Sequence, residues 1–578
     1  MRRASLGIAA VIAVTAVTPA LANDSGFSTD QAAMVAPVMA GVSVDPIITV
    51  GETLAGGYRF EAIPDGIALR TRGEGRVDVF VNHETSRVPF PYNTANPTAA
   101  NSENDFNNSQ VSRLVLNRHS GGVLSGSYPI DVDGGYQRFC SNYLATAAEG
   151  FDRDILLTNE EGLDYVRRDA AAWPVAIGSP EEEQIGVVVA LDVRTGKSYP
   201  IYGMGRHNHE NSVPLPGYDD LVVLSGDDTF TSGSLSDPTG TTNPLPPLAP
   251  SQSQLYSYIA ADTDTLLADD GDLWAFVSDA PAMDDYYDFA PGSTASVSGH
   301  FIQVPRDIAT GKAPDGSELT AADKGYPLPP NDGSWQRDLR TGNTVGLDGP
   351  QWVLEYWSQQ NNVFNFVRVE DIAYDKRAGM GNVAYVVDSG RGSTGPSQAG
   401  RSTNGRVWKM VFDPEDPTVV TSLSIFVEGD DSPVKTLAEV HQPDNIETTA
   451  TGVLLTEDPG SSQQFPVGSP DPNATTARLM YVPYTGGAAQ TVLKADQSAD
   501  GGLTDVDGKP LGNLGAWETS GIVDASAAFG EGAFLLNVQA HSLWVEKAPG
   551  EDNNGDGQPD FTYKREGGQL LLVRIPGI

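Results

Sequence analysis

Acidic, amide and histidine side chains recur in small groups along this chain: Asn82-His83-Glu84, Glu160-Glu161, His209-Glu210, Glu370-Asp371, Asp444-Asn445, Glu457-Asp458 and Glu518. Oxygen-rich groups of this kind suit hard cations such as calcium, which takes about six to eight oxygen ligands. A lone acidic pair is ordinarily a solvated turn. These pairs stand apart because they fall at similar places in a strand rhythm, where an unneutralised carboxylate would be costly to bury. A separate signal is the run Asp552-Asn-Asn554-Gly-Asp556-Gly557, with Asp560 following. Oxygens at loop positions 1, 3 and 5, glycine at 6 and an acid at 9 match the first part of a calcium loop. Position 12 is Tyr563, so the usual bidentate glutamate is missing. Asp552, Asn554 and Asp556 are therefore candidate calcium ligands whose expected role is to stiffen a loop.

The elements that must position these groups are short apolar runs. Residues 78–84, 155–161, 221–228, 272–279, 383–389, 452–458 and 533–541 each read as a strand that stops in polar residues, at intervals of roughly 50 to 110 residues. Helical periodicity is absent over most of the chain, while 62 Gly and 40 Pro punctuate β-branched and aromatic runs. This is an all-β pattern, and the spacing suits the blades of a β-propeller with long loop insertions. Strands that end at one polar layer would bring their carboxylates to a common surface. One stretch, about 279–361, lacks the cadence and carries Trp335, Trp352 and Trp357. It reads either as a cap or substrate-contacting insertion or as a decorated loop with its own small aromatic cluster.

Composition narrows the compartment and the partners. Lys and Arg number 36 against 76 Asp and Glu, a net charge of −40. Nucleic acid and anionic membranes are thereby poor partners, because attraction to phosphate needs basic residues. Arg2 and Arg3 precede an alanine-rich apolar stretch ending in Ala20-Leu21-Ala22, the pattern of a leader cleaved near Ala22. Residues 23–578 are then a single exported propeller domain, periplasmic or extracellular, with no membrane insertion and expected to be a monomer. The only cysteine, Cys140, excludes an internal disulfide, so the fold must rely on its core and on ions.

The order of motifs resembles the PhoX-type alkaline phosphatase family. The residues that carry the resemblance are Val81-Asn-His-Glu84, Cys140, Leu157-Thr-Asn-Glu-Glu161, Gly205-Arg-His-Asn-His-Glu210 and Arg368-Val-Glu-Asp371. Gln442-Pro-Asp-Asn445, Leu454-Leu-Thr-Glu-Asp458, Trp517-Glu-Thr-Ser-Gly521 and Asn537-Val-Gln-Ala-His541 continue it. The resemblance implies a propeller of about six blades with iron and calcium on its axis, hydrolysing phosphomonoesters. In that family the second motif is usually Thr-Cys-Glu-Glu, with the thiolate on iron; here it is Thr158-Asn159-Glu160-Glu161. An asparagine carbonyl suits calcium and cannot replace a thiolate. Cys140 lies earlier and is not expected to take that role. Calcium is therefore the expected cofactor, with iron in question.

The expected metal ligands are Glu84, Asn159, Glu160, Glu161, Glu210, Glu370, Asp371, Asp444 and Asp458, besides the three of the 552–556 loop. Arg206 and Glu160 are the expected catalytic residues, Arg206 as the contact to a small phosphorylated substrate, and His83 an orienting donor. The rival readings are a non-catalytic calcium-binding propeller acting as a surface or binding protein, and a calcium-dependent propeller hydrolase such as a lactonase or phytase. No Gly-x-Ser-x-Gly elbow, His-Glu-x-x-His helix or nucleotide P-loop is present.

Overall fold

Runs such as Leu221–Asp227 and Val383–Asp388 are apolar on both faces, as strands sandwiched between neighbouring sheets must be, and both are buried throughout. The computed structural model describes residues 25–85, 110–130, 134–168, 178–179, 182–229, 253–330, 335, 338, 344, 346–390, 404–429, 438–458, 475–496, 517–546 and 561–578, with backbone alone at 541–546 and 561–566. The chain is all-β in class, and its sheets are arranged like those of a propeller.

The strands Pro64–Arg72, Arg76–His83, Gln110–Asn117 and Val123–Ile130 follow one another as an antiparallel meander. Phe139–Ala145, Ile155–Glu160, Val188–Asp192 and Lys197–Ile201 form a second four-stranded sheet. A five-stranded sheet runs from Pro443–Thr448 outward through Gly452–Glu457, Arg478–Pro483 and Gln490–Ala495, and Val35–Pro37 adds its last strand. In the fourth, Ser43–Thr49 pairs with Phe561–Arg574 beside Ala533–Glu546 and Glu518–Asp524, so the N-terminal strand closes the C-terminal sheet.

The remaining large sheet has nine strands, from His209–Leu215 to Val369–Tyr374, because Ser296–Gln303 pairs edge to edge with Val419–Glu428. The expectation of about six separate blades is thus corrected: four separate blade-sized sheets are present among the described residues, nine further strands run on as one sheet, and Tyr165–Val166 pairs with Glu183–Gln184 as a small two-stranded sheet. The stretch 279–361 supplies the strand that makes this junction. It also carries helix Pro350–Gln360, on which Trp335, Trp352 and Leu347 pack around Tyr165.

Six strands lie at sheet edges and touch one another in a closed cycle: Pro64–Arg72, Phe139–Ala145, His209–Leu215, Val369–Tyr374, Pro443–Thr448 and Glu518–Asp524. Edge strands leave backbone groups without ladder partners, and side-chain amides fill that role here. Asn82 donates to the carbonyls of Cys140 (2.8 Å) and Ser141 (3.0 Å) and to Thr158 Oγ1 (2.9 Å). Asn142 returns a bond to Gly66 O at 2.9 Å.

Between the sheets lie apolar clusters, of which the most aromatic centres on Trp408. Phe289, Phe364, Phe366 and Tyr286 meet its ring edge-on, with centroids 5.0 to 5.9 Å away. Trp408→Ala is expected to destabilise the protein by about 3–5 kcal/mol, read as a lower urea midpoint with an unchanged slope.

Candidate metal centre

The axial ends of the inner strands share one irregularity. Pro64 pairs with His83 and Ile67 with Val81; Phe139 pairs with Glu160 and Asn142 with Thr158. His209 pairs with Asp227 and Ser212 with Ser225; Val369 with Asp388 and Ile372 with Val386; Pro443 with Glu457 and Ile446 with Leu455. Each time the inner strand advances three residues while its neighbour advances two, which is a one-residue bulge. A bulge turns the side chain beside it, and the residue after the first pair is Asp65, Cys140, Glu210, Glu370 or Asp444. Four of these strands are entered through a non-glycine residue at positive φ: Ile63 (49°), Arg138 (47°), Arg368 (65°) and Gln442 (49°). Such backbone is uncommon and collects at functional sites.

Five bulge residues from different strands therefore converge, and the ends of neighbouring strands add Glu84 and Glu161. Asp65, Glu84 and Cys140 offer ligand atoms within 4.8 Å of one another; so do Cys140, Glu161 and Glu210, and so do Glu210, Glu370 and Asp444. The three sets share Cys140 and Glu210, so they form one continuous chain of buried donors. Cys140 Sγ donates to Asp65 Oδ2 at 2.6 Å, and Ser389 Oγ donates to Glu370. Arg368 is the cation held among these acids. Its guanidinium makes two 2.9 Å bonds to Asp228, lies 2.9 Å from Glu370, and stands 3.8 Å from Asp458.

Burial, followed by the charges of Glu84 and Asp228, lifts the Glu161 carboxyl well above its ordinary range. Glu210 is lifted by burial and then by Glu161 and Asp65, and Asp444 by burial and then by Glu518 and Glu370. Burial also raises Glu370, although Arg368 opposes the rise, and raises the Cys140 thiol with help from Asp65 and Glu210. Like charges crowded out of water call for protons or cations. The donor set fits both kinds of ion at issue: the carboxylates suit calcium, and one thiolate beside them suits a softer transition metal such as iron.

Of the residues expected from sequence, Glu84, Glu161, Glu210, Glu370 and Asp444 are brought together. Asp458 stands at the rim, near Arg368 and acting on Asp444 and Glu370. The others are placed elsewhere, for identifiable reasons. Glu160 is gripped by Arg168 at 2.6 and 2.8 Å and accepts from the Gln137 amide at 2.9 Å. Asn159 donates to Ser141 O at 2.8 Å and accepts from Ser212 Oγ at 2.7 Å, so it joins strands as Asn82 does. Asp371 accepts from Asn211 and from the amides of Ile372 and Ile446. Arg206 is buried against Glu318 at 3.3 Å, with Tyr202 beneath its guanidinium. His83 bonds Ser112 Oγ at 2.6 Å and Ala62 O at 3.2 Å, and His209 bonds Ser225 Oγ at 2.7 Å and Gly205 O at 3.0 Å. Asp552, Asn554 and Asp556 lie outside the described residues.

Three residues of the centre were missed. Asp65 sits in Pro64-Asp65-Gly66, which reads as a turn. Cys140, not expected to take the role of the absent motif cysteine, stands on the strand beside that motif and belongs to two of the donor sets. Arg368 carried a signal within Arg368-Val-Glu-Asp371 that went unused in favour of Arg206.

No family model matches the chain, and no curated protein matches it. Among solved structures, the fold is similar to that of Pseudomonas fluorescens PhoX in complex with vanadate, a transition state analogue. The TM-score is 0.57 at 15% identity, covering 95% of this chain and 98% of that one. A Dyadobacter fermentans protein of unknown function matches at TM-score 0.33 and 9% identity over 93% of this chain and 100% of its own. A point mutant of NanB sialidase from Streptococcus pneumoniae matches at 0.32 and 8% over 88% of this chain and 68% of its own. At these identities the likeness to PhoX is one of fold, a propeller-like arrangement of sheets.

Glu210→Gln is expected to lower the metal content of the purified protein, because Glu210 belongs to two donor sets, while Glu160→Gln leaves it unchanged; elemental analysis decides. The pH response follows in sign. In chelated protein the raised carboxyls hold protons that the unfolded chain releases near pH 4. Stability should therefore fall as pH climbs above about 4 toward the raised range of Glu161, Glu210 and Asp444. Added calcium should reverse the loss, as followed by thermal melts across that range.

Proposed function

We propose that the chain is an exported, metal-dependent phosphomonoesterase acting on a small phosphorylated substrate, with calcium in the axial carboxylates and a softer ion such as iron at Cys140. The observation that carries this reading is the juxtaposition of Arg368 with the chain of donors from Asp65 to Asp444. The fold shared with a phosphatase-type protein that binds vanadate supports it. Glu84, Glu161, Glu210, Glu370, Asp444 and Cys140 would hold the ions. Bound there, the metals would supply charge against the phosphoryl oxygens and lower the pKa of a water.

The protein's own part is positional. Arg368 offers planar N–H donors suited to two phosphoryl oxygens, and Asp228 fixes the plane of the guanidinium. Ser389 holds Glu370 in one rotamer, while the buried inner strands exclude bulk water and strengthen each charge contact. The non-catalytic reading rests on Asn159 in place of a cysteine; Cys140 among the axial donors offers a thiol that favours the enzyme. The proposal of export rests on the apolar stretch after Arg2 and Arg3, within residues outside those described. No described helix is long and apolar enough to cross a membrane.

Hydrolysis of a chromogenic phosphomonoester at mildly alkaline pH is expected to require calcium, to be blocked by vanadate, and to fall about 100-fold or more in Arg368→Ala, whereas Arg206→Ala keeps its kcat. Absence of turnover by folded, metal-loaded protein would refute the assignment.

A further inference from the structure

The residues that lead into the inner strands form a layer of their own. Each accepts, at its carbonyl, the backbone amide of a residue where the partner strand ends. Glu84 N donates to Ile63 O at 2.9 Å, Glu161 N to Arg138 O at 3.0 Å and Asp228 N to Asn208 O at 2.9 Å. Ser389 N donates likewise to Arg368 O at 2.9 Å, and Asp458 N to Gln442 O at 3.0 Å. These turns stand two residues ahead of Asp65, Cys140, Glu210, Glu370 and Asp444. Arg368 shows where a side chain from such a turn can lead, since its guanidinium lies 2.9 Å from Glu370.

Gln442 occupies the same position on the next inner strand. Val369–Tyr374 and Pro443–Thr448 lie side by side, and both entering residues have positive φ, 65° at Arg368 and 49° at Gln442. Gln442 is as deep as the donors themselves, 0% exposed against 1% for Glu210 and 3% for Glu370. Among the described residues, neither its Nε2 nor its Oε1 has a hydrogen-bond partner. The other polar members of the layer are engaged: Arg138 binds Asp164, Asn208 donates to Asp228 O at 3.1 Å, and Arg368 holds Asp228. A buried amide idle at both ends is costly, and a role in the chemistry of a site is one reason for a protein to keep it. A phosphoryl group drawn in by ions at Glu210 and Glu370 comes to the same depth. The side-chain amide brings two N–H donors to it and adds no charge to repel those ions.

We propose, resting on the phosphomonoesterase reading, that Gln442 is a substrate-contact residue of the axial centre, its Nε2 donating to a phosphoryl oxygen beside Arg368.

The test is binding of orthovanadate by the metal-loaded full-length protein, followed by calorimetry, together with turnover of a chromogenic phosphomonoester. Gln442→Met keeps the length of the side chain and removes both polar atoms. It is expected to weaken vanadate binding about tenfold or more, as loss of a hydrogen bond to a charged group does, and to lower kcat/KM in step. Metal content should be unchanged and the melting temperature no lower, because no protein contact is lost. Gln442→Glu, which sets a negative charge against the phosphoryl oxygens, should lose more. Wild-type vanadate affinity and kcat/KM in a folded Gln442→Met protein would overturn the proposal and leave the phosphatase reading standing. Loss of metal along with vanadate would also overturn it, by making the amide an ion ligand. Should Gln442→Met not fold, unchanged vanadate affinity in Gln442→Glu would be equally decisive against it. Wild-type protein that binds no vanadate would fell both readings.

Discussion

Crowded negative charge on the axis is the constraint that governs this molecule. Asp65, Glu84, Glu161, Glu210, Glu370 and Asp444 are buried together, and Arg368 is the cation placed among them. Without ions, burial and mutual repulsion favour the protonated forms of Glu161, Glu210 and Asp444. The inner strands are built to bear this load. A bulge at the axial end of five of the six aims a donor inward, and the residue ahead of it often adopts left-handed backbone to make the turn. Cations would convert that repulsion into attraction, joining sheets that otherwise touch through side-chain hydrogen bonds and apolar clusters.

The same geometry sorts two layers of polar side chains that look alike in sequence. One layer, the residue after the first pair of the five bulged inner strands, faces the centre. The other, including Asn82, Asn159, Asn445 and Asp371, ties the inner strands together: Ile446 N donates to Asp371 at 3.0 Å between neighbours, and Asn445 donates to Ser141 Oγ at 3.0 Å from one side of the ring to the other. A chemical centre assembled from separate sheets thus rests on a ring of hydrogen bonds directly beside it. Replacing an amide in that ring would leave buried acceptors unmet, and the donors next to them would lose their alignment.

These layers explain how much was legible beforehand. Strand interiors were, because continuous apolar runs between glycines and prolines have few other outcomes. Strand ends with Glu84 and Glu161 were also visible, since a carboxylate after a buried run needs a partner. The inner-strand starts were harder: whether Glu370 or Asp371, Asp444 or Asn445 faces the axis depends on bulges that period-two reasoning does not foresee. Arg206 and Arg368 both sit beside acidic motifs; the distant Glu318 that occupies Arg206 shows itself only in the fold. Nor does any local pattern announce that Ser296–Gln303 will pair with Val419–Glu428 and fuse two groups of strands.

The central claim, that the axial donors form a metal centre, is tested most directly by a crystal structure of the calcium-loaded protein with anomalous data at the calcium and iron edges. The account predicts ions on both sides of the Glu210 carboxylate, with calcium about 2.3–2.6 Å from carboxylate oxygens and a transition metal bonded to Cys140 Sγ. A clean map at Glu210 and Cys140 in folded, metal-loaded protein, with ions found only elsewhere, would contradict it.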